Sequence, residues 1–205
     1  MARSADPLEL GVDMSQQHCS GEFLVILASS GDPAAYASTL RPAHEQAGGE
    51  AKYLRTSDSC NSFVQEIDGN DVYAAYLGPF DSAWQACEAR GRIGYGGSYV
   101  RELRSDQERR TPCACEYSSS ELPRISRGDG GASDPSTGLF VSDAKSLLYS
   151  AGHNTKRDVT TSFDAAMDGW VREFQDRSSW VASNGVVGPD TWSELIGYCG
   201  RDPEQ

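Results

Sequence analysis

Short apolar runs separated by polar turns dominate residues 22–104 and predict a sheet accompanied by two helices. Residues 23–28 are continuously apolar, which is typical of a central strand. Asp32 and Pro33 provide the cap and the first turn of one helix, and the Gly-Pro-Phe sequence at 78–80 is expected to break a later strand. The predicted order of elements is β-α-β-β-α-β, which folds into one sheet with both helices on the same face.

From residue 139 the apolar spacing follows a helical period. Val141, Ala144 and Leu148 share one stripe, a second stripe covers residues 163–174, and Pro189 begins a last short helix. The three helices predict a small bundle. The expected fold class is therefore α+β, with a ferredoxin-like βαββαβ sandwich followed by a small three-helix bundle.

The segment between these two regions is rich in serine, proline and glycine, which is typical of a linker. The predicted organisation is a tail over 1–20, an α+β domain over 21–104, a linker over 105–138 that contains Cys113 and Cys115, a three-helix domain over 139–200, and a second tail over 201–205.

Charge and apolar content exclude several classes of partner. The 205 residues include 30 acidic and 18 basic side chains, which gives a formal net charge of −12. A chain this acidic does not neutralise a phosphate backbone, so we expect no binding to nucleic acid or to anionic lipid surfaces. The longest apolar run, residues 23–28, is too short to span a bilayer. Residues 1–17 lack the pattern of a secretory signal, so any signal or anchor is expected to lie outside this sequence.

The six cysteines are even in number and show no C-x-x-C pair or histidine at a metal-binding spacing. We expect disulfides and an oxidising compartment, with reduced, buried cysteines as the alternative. Cys113 and Cys115 are expected to join different partners, and the sequence alone does not select a pairing. The disulfide candidates are Cys19, Cys60, Cys87, Cys113, Cys115 and Cys199.

No arrangement of residues predicts catalysis. His18, His44 and His153 are isolated from any serine, cysteine or carboxylate at a spacing that suits a triad or a metal site. The carboxylates near residues 66–71 are typical of a solvated turn. We therefore expect a protein without a catalytic residue, a metal or a cofactor.

Alternation along the strands predicts which side chains face away from the helices. If Tyr73, Ala75 and Leu77 point to the helices, then Leu24 and Ile26 face outward, and a ligand, the linker or the second domain should cover them. Leu54 and Val100 are predicted to point inward. Rings and guanidinium groups on one surface suit sugars, although ordinary strand residues remain the alternative. The candidates on this open face are Tyr53, Arg55, Tyr76, Tyr99 and Arg101.

The C-terminal region resembles the peptidoglycan-binding-like three-helix domain of bacterial wall enzymes. The matching residues are Phe174-Gln175, the Asn-Gly-Val-Val-Gly-Pro-Asp-Thr-Trp run at 184–192, and Leu195. The resemblance implies binding of wall glycan, with Gln175, Asn184 and Trp192 as the candidate binding residues.

The N-terminal region resembles the sporulation-related repeat (SPOR) domain. The resemblance lies in the apolar strand at 23–29, in residues 72–82 with their Gly-Pro-Phe, in Ala86, and in Tyr-Val-Arg at 99–101. It implies a wall glycan on the open face of the sheet.

Together these features predict a non-catalytic protein that binds peptidoglycan or another wall glycan outside a bacterial cell or on its surface. Two weak sites on one chain would raise avidity if both reach the polymer. The alternative is a regulatory module that docks a partner enzyme through its sheet face, and a third possibility is a wall hydrolase.

Overall fold

The computed structural model describes residues 6–105, 110–153 and 160–201. The chain divides into two compact units, Met1–Arg110 and Thr111–Gln205. The described residues form five helices and a mostly antiparallel sheet, so the predicted α+β class is confirmed. Of the two predicted tails, residues 1–5 and 202–205 lie outside the described residues.

Eight strands are present in the described residues. Six of them form one sheet in the order β1-β3-β6-β2-β7-β8, and β4 and β5 form a separate hairpin. The strands are β1 (Met14–Ser15), β2 (Phe23–Ser30), β3 (Lys52–Arg55), β4 (Glu66–Ile67), β5 (Asn70–Asp71), β6 (Tyr73–Phe80), β7 (Tyr99–Glu102) and β8 (Arg110–Thr111).

The helices begin where short polar side chains can satisfy free backbone N–H groups. The Ser82 hydroxyl accepts from the backbone N–H of Gln85, and the carboxylates of Asp134 and Asp164 accept from the third residue of their own helices. The helices are α1 (Tyr36–Gln46), α2 (Ala83–Ile93), α3 (Pro135–Ser150), α4 (Ala165–Asp176) and α5 (Pro189–Ile196).

Two predicted boundaries in the first unit are wrong. Strand β6 continues through Gly78 to Phe80, because Phe80 still pairs with Phe23 on the neighbouring strand. Gly78 has a φ of 110°, a conformation that glycine adopts without strain. Helix α1 begins at Tyr36 rather than at Pro33, because the Asp32 carboxylate accepts from the N–H of Ala34 and closes a turn ahead of the helix.

Residues 6–20, which the sequence predicts as a tail, contribute to the first unit. Strand β1 pairs in parallel with β3, and Leu10 is buried. The Asp6 carboxylate accepts hydrogen bonds from the N–H groups of Leu10 and Gly11 and from the Tyr53 hydroxyl. Strand β1 has only two residues and forms by pairing with β3. A strand this short shows no alternation of apolar and polar residues that would predict it from the sequence.

Most of the predicted linker belongs to the second unit. Leu122 and Ile125 are buried in the core of the helices, and Ile125 bridges to Val187 in an antiparallel pair. The indole N–H of Trp192 donates to the carbonyl of Pro123 over 2.8 Å. Residues 111–138 therefore pack against α3, α4 and α5 as part of the second unit.

Candidate functional site

The register of β3 places Tyr53 and Arg55 on the helix face of the sheet. Tyr53 pairs with Ala75 and Arg55 pairs with Tyr73, and side chains of paired residues share a face. Leu54 pairs with Ala74 on the opposite face. The prediction for β3 is therefore wrong by one residue, which moves every side chain of a strand to the other face.

Leu24 and Ile26 lie opposite the helices, on the face that they share with Tyr76 and Tyr99, as alternation predicts. This face is not open. Its apolar cluster is completed by residues of a loop over 56–65, named here the covering loop, which is the unit's own chain rather than a ligand, the linker or the second domain. The cluster contains Leu24, Ile26, Leu54, Cys60, Phe63, Ala74, Tyr76 and Leu103, with Tyr99 packed against it.

Arg101 lies beneath the covering loop. Only 5% of this residue is exposed, and its Nη1 donates to the carbonyl of Ser62. The guanidinium carbon is 5.6 Å from the ring centre of Phe63 and 5.5 Å from that of Tyr99, and the guanidinium of Arg110 lies 3.8 Å from the Tyr99 ring. Arg101 and Tyr99 therefore interact with this chain's own residues.

The three remaining candidates of the sheet, Tyr53, Arg55 and Tyr76, also form contacts within the chain. The Tyr76 hydroxyl contacts Ser15 Oγ at 2.5 Å and accepts from Gln17 Nε2 over 2.7 Å, and burial raises the pKa of Tyr76. Burial and the hydrogen bond to Asp6 raise the pKa of Tyr53. The Arg55 guanidinium contacts the carboxylates of Asp58 and Asp71, and the hydrogen bond to Asp58 is the main cause of its raised pKa. The structure therefore does not bring the five together on an exposed surface.

In the second unit, Gln175 organises the loop between α4 and α5. Its side chain is buried, and its Nε2 donates to the carbonyl of Val186 over 2.8 Å and to Thr191 Oγ1 over 3.0 Å. Its Oε1 accepts from the N–H groups of Asn184 and Gly185 over 3.1 and 2.9 Å. All polar atoms of the amide are thus used within the loop.

Trp192 is completely buried in the core of the second unit, so its ring is not available to a ligand. Asn184, in contrast, is exposed. Its Oδ1 accepts from the N–H of Val186 over 2.9 Å, and its amide N–H groups take no part in that bond. Of the three C-terminal candidates, Asn184 alone is accessible.

Asn184 lines a shallow cavity of about 100 Å³. Polar groups from three parts of the unit meet at this cavity, together with the aliphatic residues Val181 and Val186. The lining residues are Arg124, Val181, Ala182, Asn184, Val186, Gly188, Pro189, Asp190 and Thr191.

Trp180 directly precedes the cavity residue Val181 and is 57% exposed, the highest value among the exposed large apolar residues. Sequence reasoning missed Trp180, Arg124 and Asp190. A signal for Trp180 was present, because this tryptophan follows the polar residues Arg177, Ser178 and Ser179 and lies outside the apolar period of α4. Arg124 gave no such signal, because the pairing of Ile125 with Val187 alone brings it to the cavity.

All six cysteines are disulfide-bonded. Cys19 pairs with Cys60 and Cys115 pairs with Cys199, and Cys87 and Cys113 are also oxidised. Cys113 and Cys115 thus have different partners, as predicted. Three disulfides fit a protein of an oxidising, extracellular compartment.

The residues that the structure describes contain no group of histidine, cysteine, aspartate and glutamate side chains that could hold a metal ion. None of their helices combines the length and the apolar content that a membrane span requires.

Comparisons of the chain with protein-family models, curated proteins and solved structures find no match.

Proposed function

We propose that this chain is a non-catalytic binding protein for peptidoglycan or a related wall glycan, and that its site is the cavity of the second unit. The observation that carries the proposal is the accessible cavity of Asn184 with the exposed Trp180 beside it in the chain. An indole ring stacks on the apolar face of a pyranose, while the amide and carboxylate groups hydrogen-bond to its hydroxyls.

The charges at the cavity favour a sugar with few negative groups. Arg124 is exposed and forms no ion pair within the described part of the chain, so one carboxylate of a muramyl residue could bind there. Asp190 at the same cavity and the net charge of −12 oppose a polyanion. We therefore infer a mostly neutral glycan as the ligand.

We also propose a family likeness for each of the two units. The order β7-β2-β6-β3 within the sheet supports a ferredoxin-like, SPOR-like first unit, and α3, α4 and α5 around the buried Trp192 support a peptidoglycan-binding-like second unit. The disulfides support an extracellular location, and a bacterial cell surface follows only from the proposed wall ligand. Binding through the sheet face has less support, because the covering loop occupies that face.

Co-sedimentation with purified, insoluble peptidoglycan tests the proposal. We expect the intact chain to pellet with the polymer, and Trp180→Ala, Asn184→Ala and Arg124→Gln each to weaken the apparent affinity by about fivefold. Arg127→Gln is the matched control, because Arg127 is exposed near Arg124 in the chain but does not line the cavity. Retention of the intact chain in the supernatant at modest salt would refute wall binding.

The two alternatives give different results in related assays. A module that docks a partner enzyme would bind a protein from an extract saturably and would ignore the glycan. Its predicted docking residues, Leu24 and Ile26, are fully buried, which disfavours this function. A wall hydrolase would reduce the turbidity of a suspension of cell-wall sacculi, whereas the proposed binder would leave it unchanged.

A further inference from the structure

The covering loop is joined to the N-terminal segment by one covalent bond and few polar contacts. Cys60 of the loop is bonded to Cys19, and its N–H donates to the carbonyl of Gln17 over 2.6 Å. The N–H of Gln17 donates to Ser59 Oγ over 3.3 Å. The disulfide is thus the strongest link between the two segments.

Two buried polar groups, one in the covering loop and one beneath it, lack hydrogen bonds among the described residues. Arg101 Nε and Ser62 Oγ are buried, and neither has a hydrogen-bond partner in the part of the chain that the structure describes. The guanidinium charge is compensated only by a carbonyl and two ring faces among the described residues. Because buried polar groups without partners lose their hydration, the closed loop carries a cost that offsets part of the stabilisation from burying Cys60 and Phe63.

We propose that the Cys19–Cys60 disulfide is a redox-controlled latch and that its reduction opens the covering loop. The open form exposes the face of Leu24, Ile26 and Tyr76 together with the Arg101 cation. This surface combines an apolar bed with one positive charge, and it therefore fits an amphiphile that carries an acidic group. The inference concerns the first unit and does not depend on the cavity of the second.

The reductant is a dithiol, and exposure directs its attack. Cys19 is exposed whereas Cys60 is 3% exposed, so a reductant thiolate attacks Sγ of Cys19. The bond between the two sulfurs breaks, and Cys60 leaves as a thiolate that takes up a proton. The second thiol of the reductant then displaces Cys19 and forms the reductant's own disulfide. The protein gains two electrons and two protons as two thiols.

Hydrogen–deuterium exchange of the full chain tests the latch. The double variant C19A/C60A mimics the opened latch without reducing the other disulfides. We expect amides of the covering loop to exchange on the order of tenfold faster in this variant, while amides of β2 keep their protection. The control C115A/C199A removes the other assigned bond and should leave exchange in the covering loop unchanged.

Two exchange results would overturn the proposal. Unchanged exchange in the covering loop would show that the disulfide does not hold it closed. Equal acceleration in the loop and in β2 would show that the bond stabilises the whole unit rather than a latch.

A fluorescent probe gives a second measurement. The dye 8-anilinonaphthalene-1-sulfonate carries an aromatic body and one sulfonate, so it should bind and brighten with C19A/C60A but not with the oxidised chain. Arg101→Met in the C19A/C60A background should reduce this binding. Equal brightness of the oxidised chain and the C19A/C60A variant would contradict a newly opened face.

Discussion

Gly185 occupies a position in the cavity loop that suits only glycine. Its φ is 73°, and an added Cβ would lie 2.1 Å from Asp168 Oδ1 and 2.6 Å from Arg172 Nη2. These atoms end flexible side chains and can move, but they form an ion pair with each other that the methyl group would separate. The left-handed backbone conformation, in contrast, would remain strained with alanine, because no movement of a side chain relieves it.

We therefore expect Gly185→Ala to lower the free energy of unfolding by about 1–2 kcal/mol, because alanine adopts a positive φ only with strain. Chemical denaturation of the full chain measures this change. Gly169→Ala is the matched control: Gly169 lies within α4, and an added Cβ would contact nothing. It should raise the stability by about 0.5–1 kcal/mol because alanine favours helix. Equal effects of the two variants would contradict this explanation.

His153 is a second residue whose surroundings predict a measurable property. It is 6% exposed, its Nδ1 has no hydrogen-bond partner among the described residues, and its ring packs edge-on against Phe174. Burial, followed by the positive charge of Arg177, lowers its pKa below the ordinary value of 6.5, while Glu173 opposes the shift. The folded chain therefore favours the neutral form of this imidazole more than the unfolded chain does.

A lowered pKa in the folded state makes acid destabilising. We expect the stabilising contribution of neutral His153 to be complete above pH 6.5 and to decrease as the pH falls through the lower folded pKa, because the unfolded chain takes up the proton first. Thermal unfolding between pH 7.5 and 5 measures the effect. His153→Phe should flatten this part of the profile, whereas an identical profile for the variant would assign the acid sensitivity to other groups.

At the scale of elements, the sequence predicted most helices and strands but not how strands pair. Periodicity placed α4, and Pro189 marked the start of α5, because both signals are local. The register of β3 against β6 is set by contacts between distant residues, and for that reason Tyr53 was assigned to the wrong face. The covering loop was missed for the same reason.

The candidate site shows the same division between local and distant information. The run at 184–192 was recognisable, and it does form the loop of the cavity. Within this run, however, Trp192 is buried and Asn184 is exposed. This difference follows from the packing of the core and not from the sequence pattern. Arg124 reaches the cavity from a segment that appeared to be a linker.

The loop between α4 and α5 should depend on the Gln175 amide. Gln175→Leu would leave several backbone groups of the loop without their buried partners, so we expect the free energy of unfolding to decrease by about 3 kcal/mol. Asp176→Asn changes an exposed neighbour on α4 and should stay within about 0.5 kcal/mol. Chemical denaturation compares the two, and a Gln175→Leu variant as stable as the parent would show that the loop holds without the amide.

At the scale of the whole molecule, the disulfides close large loops of chain. The Cys115–Cys199 bond spans 84 residues of sequence, and cross-links of this length greatly restrict the unfolded chain. The bond joins the segment before α3 to the end of the second unit. It therefore restrains both borders of the three-helix core.

We expect C115A/C199A to lower the free energy of unfolding by about 4 kcal/mol, chiefly because the unfolded chain regains its freedom. Denaturation without a reductant measures this loss. The difference between the variant and the parent should largely disappear in excess dithiol, since the bond is then absent from both. A difference that persists in dithiol would indicate a packing effect of the substitutions.

The bridge between Ile125 and Val187 also determines where a gene can be divided. A fragment that begins at residue 139, where the helical pattern starts, would lack Leu122 and Ile125 and the carbonyl that binds the Trp192 indole. It would be prone to aggregate through the uncovered side of its core. A fragment that begins at residue 111 would keep these contacts, and the second unit should be expressed from that boundary.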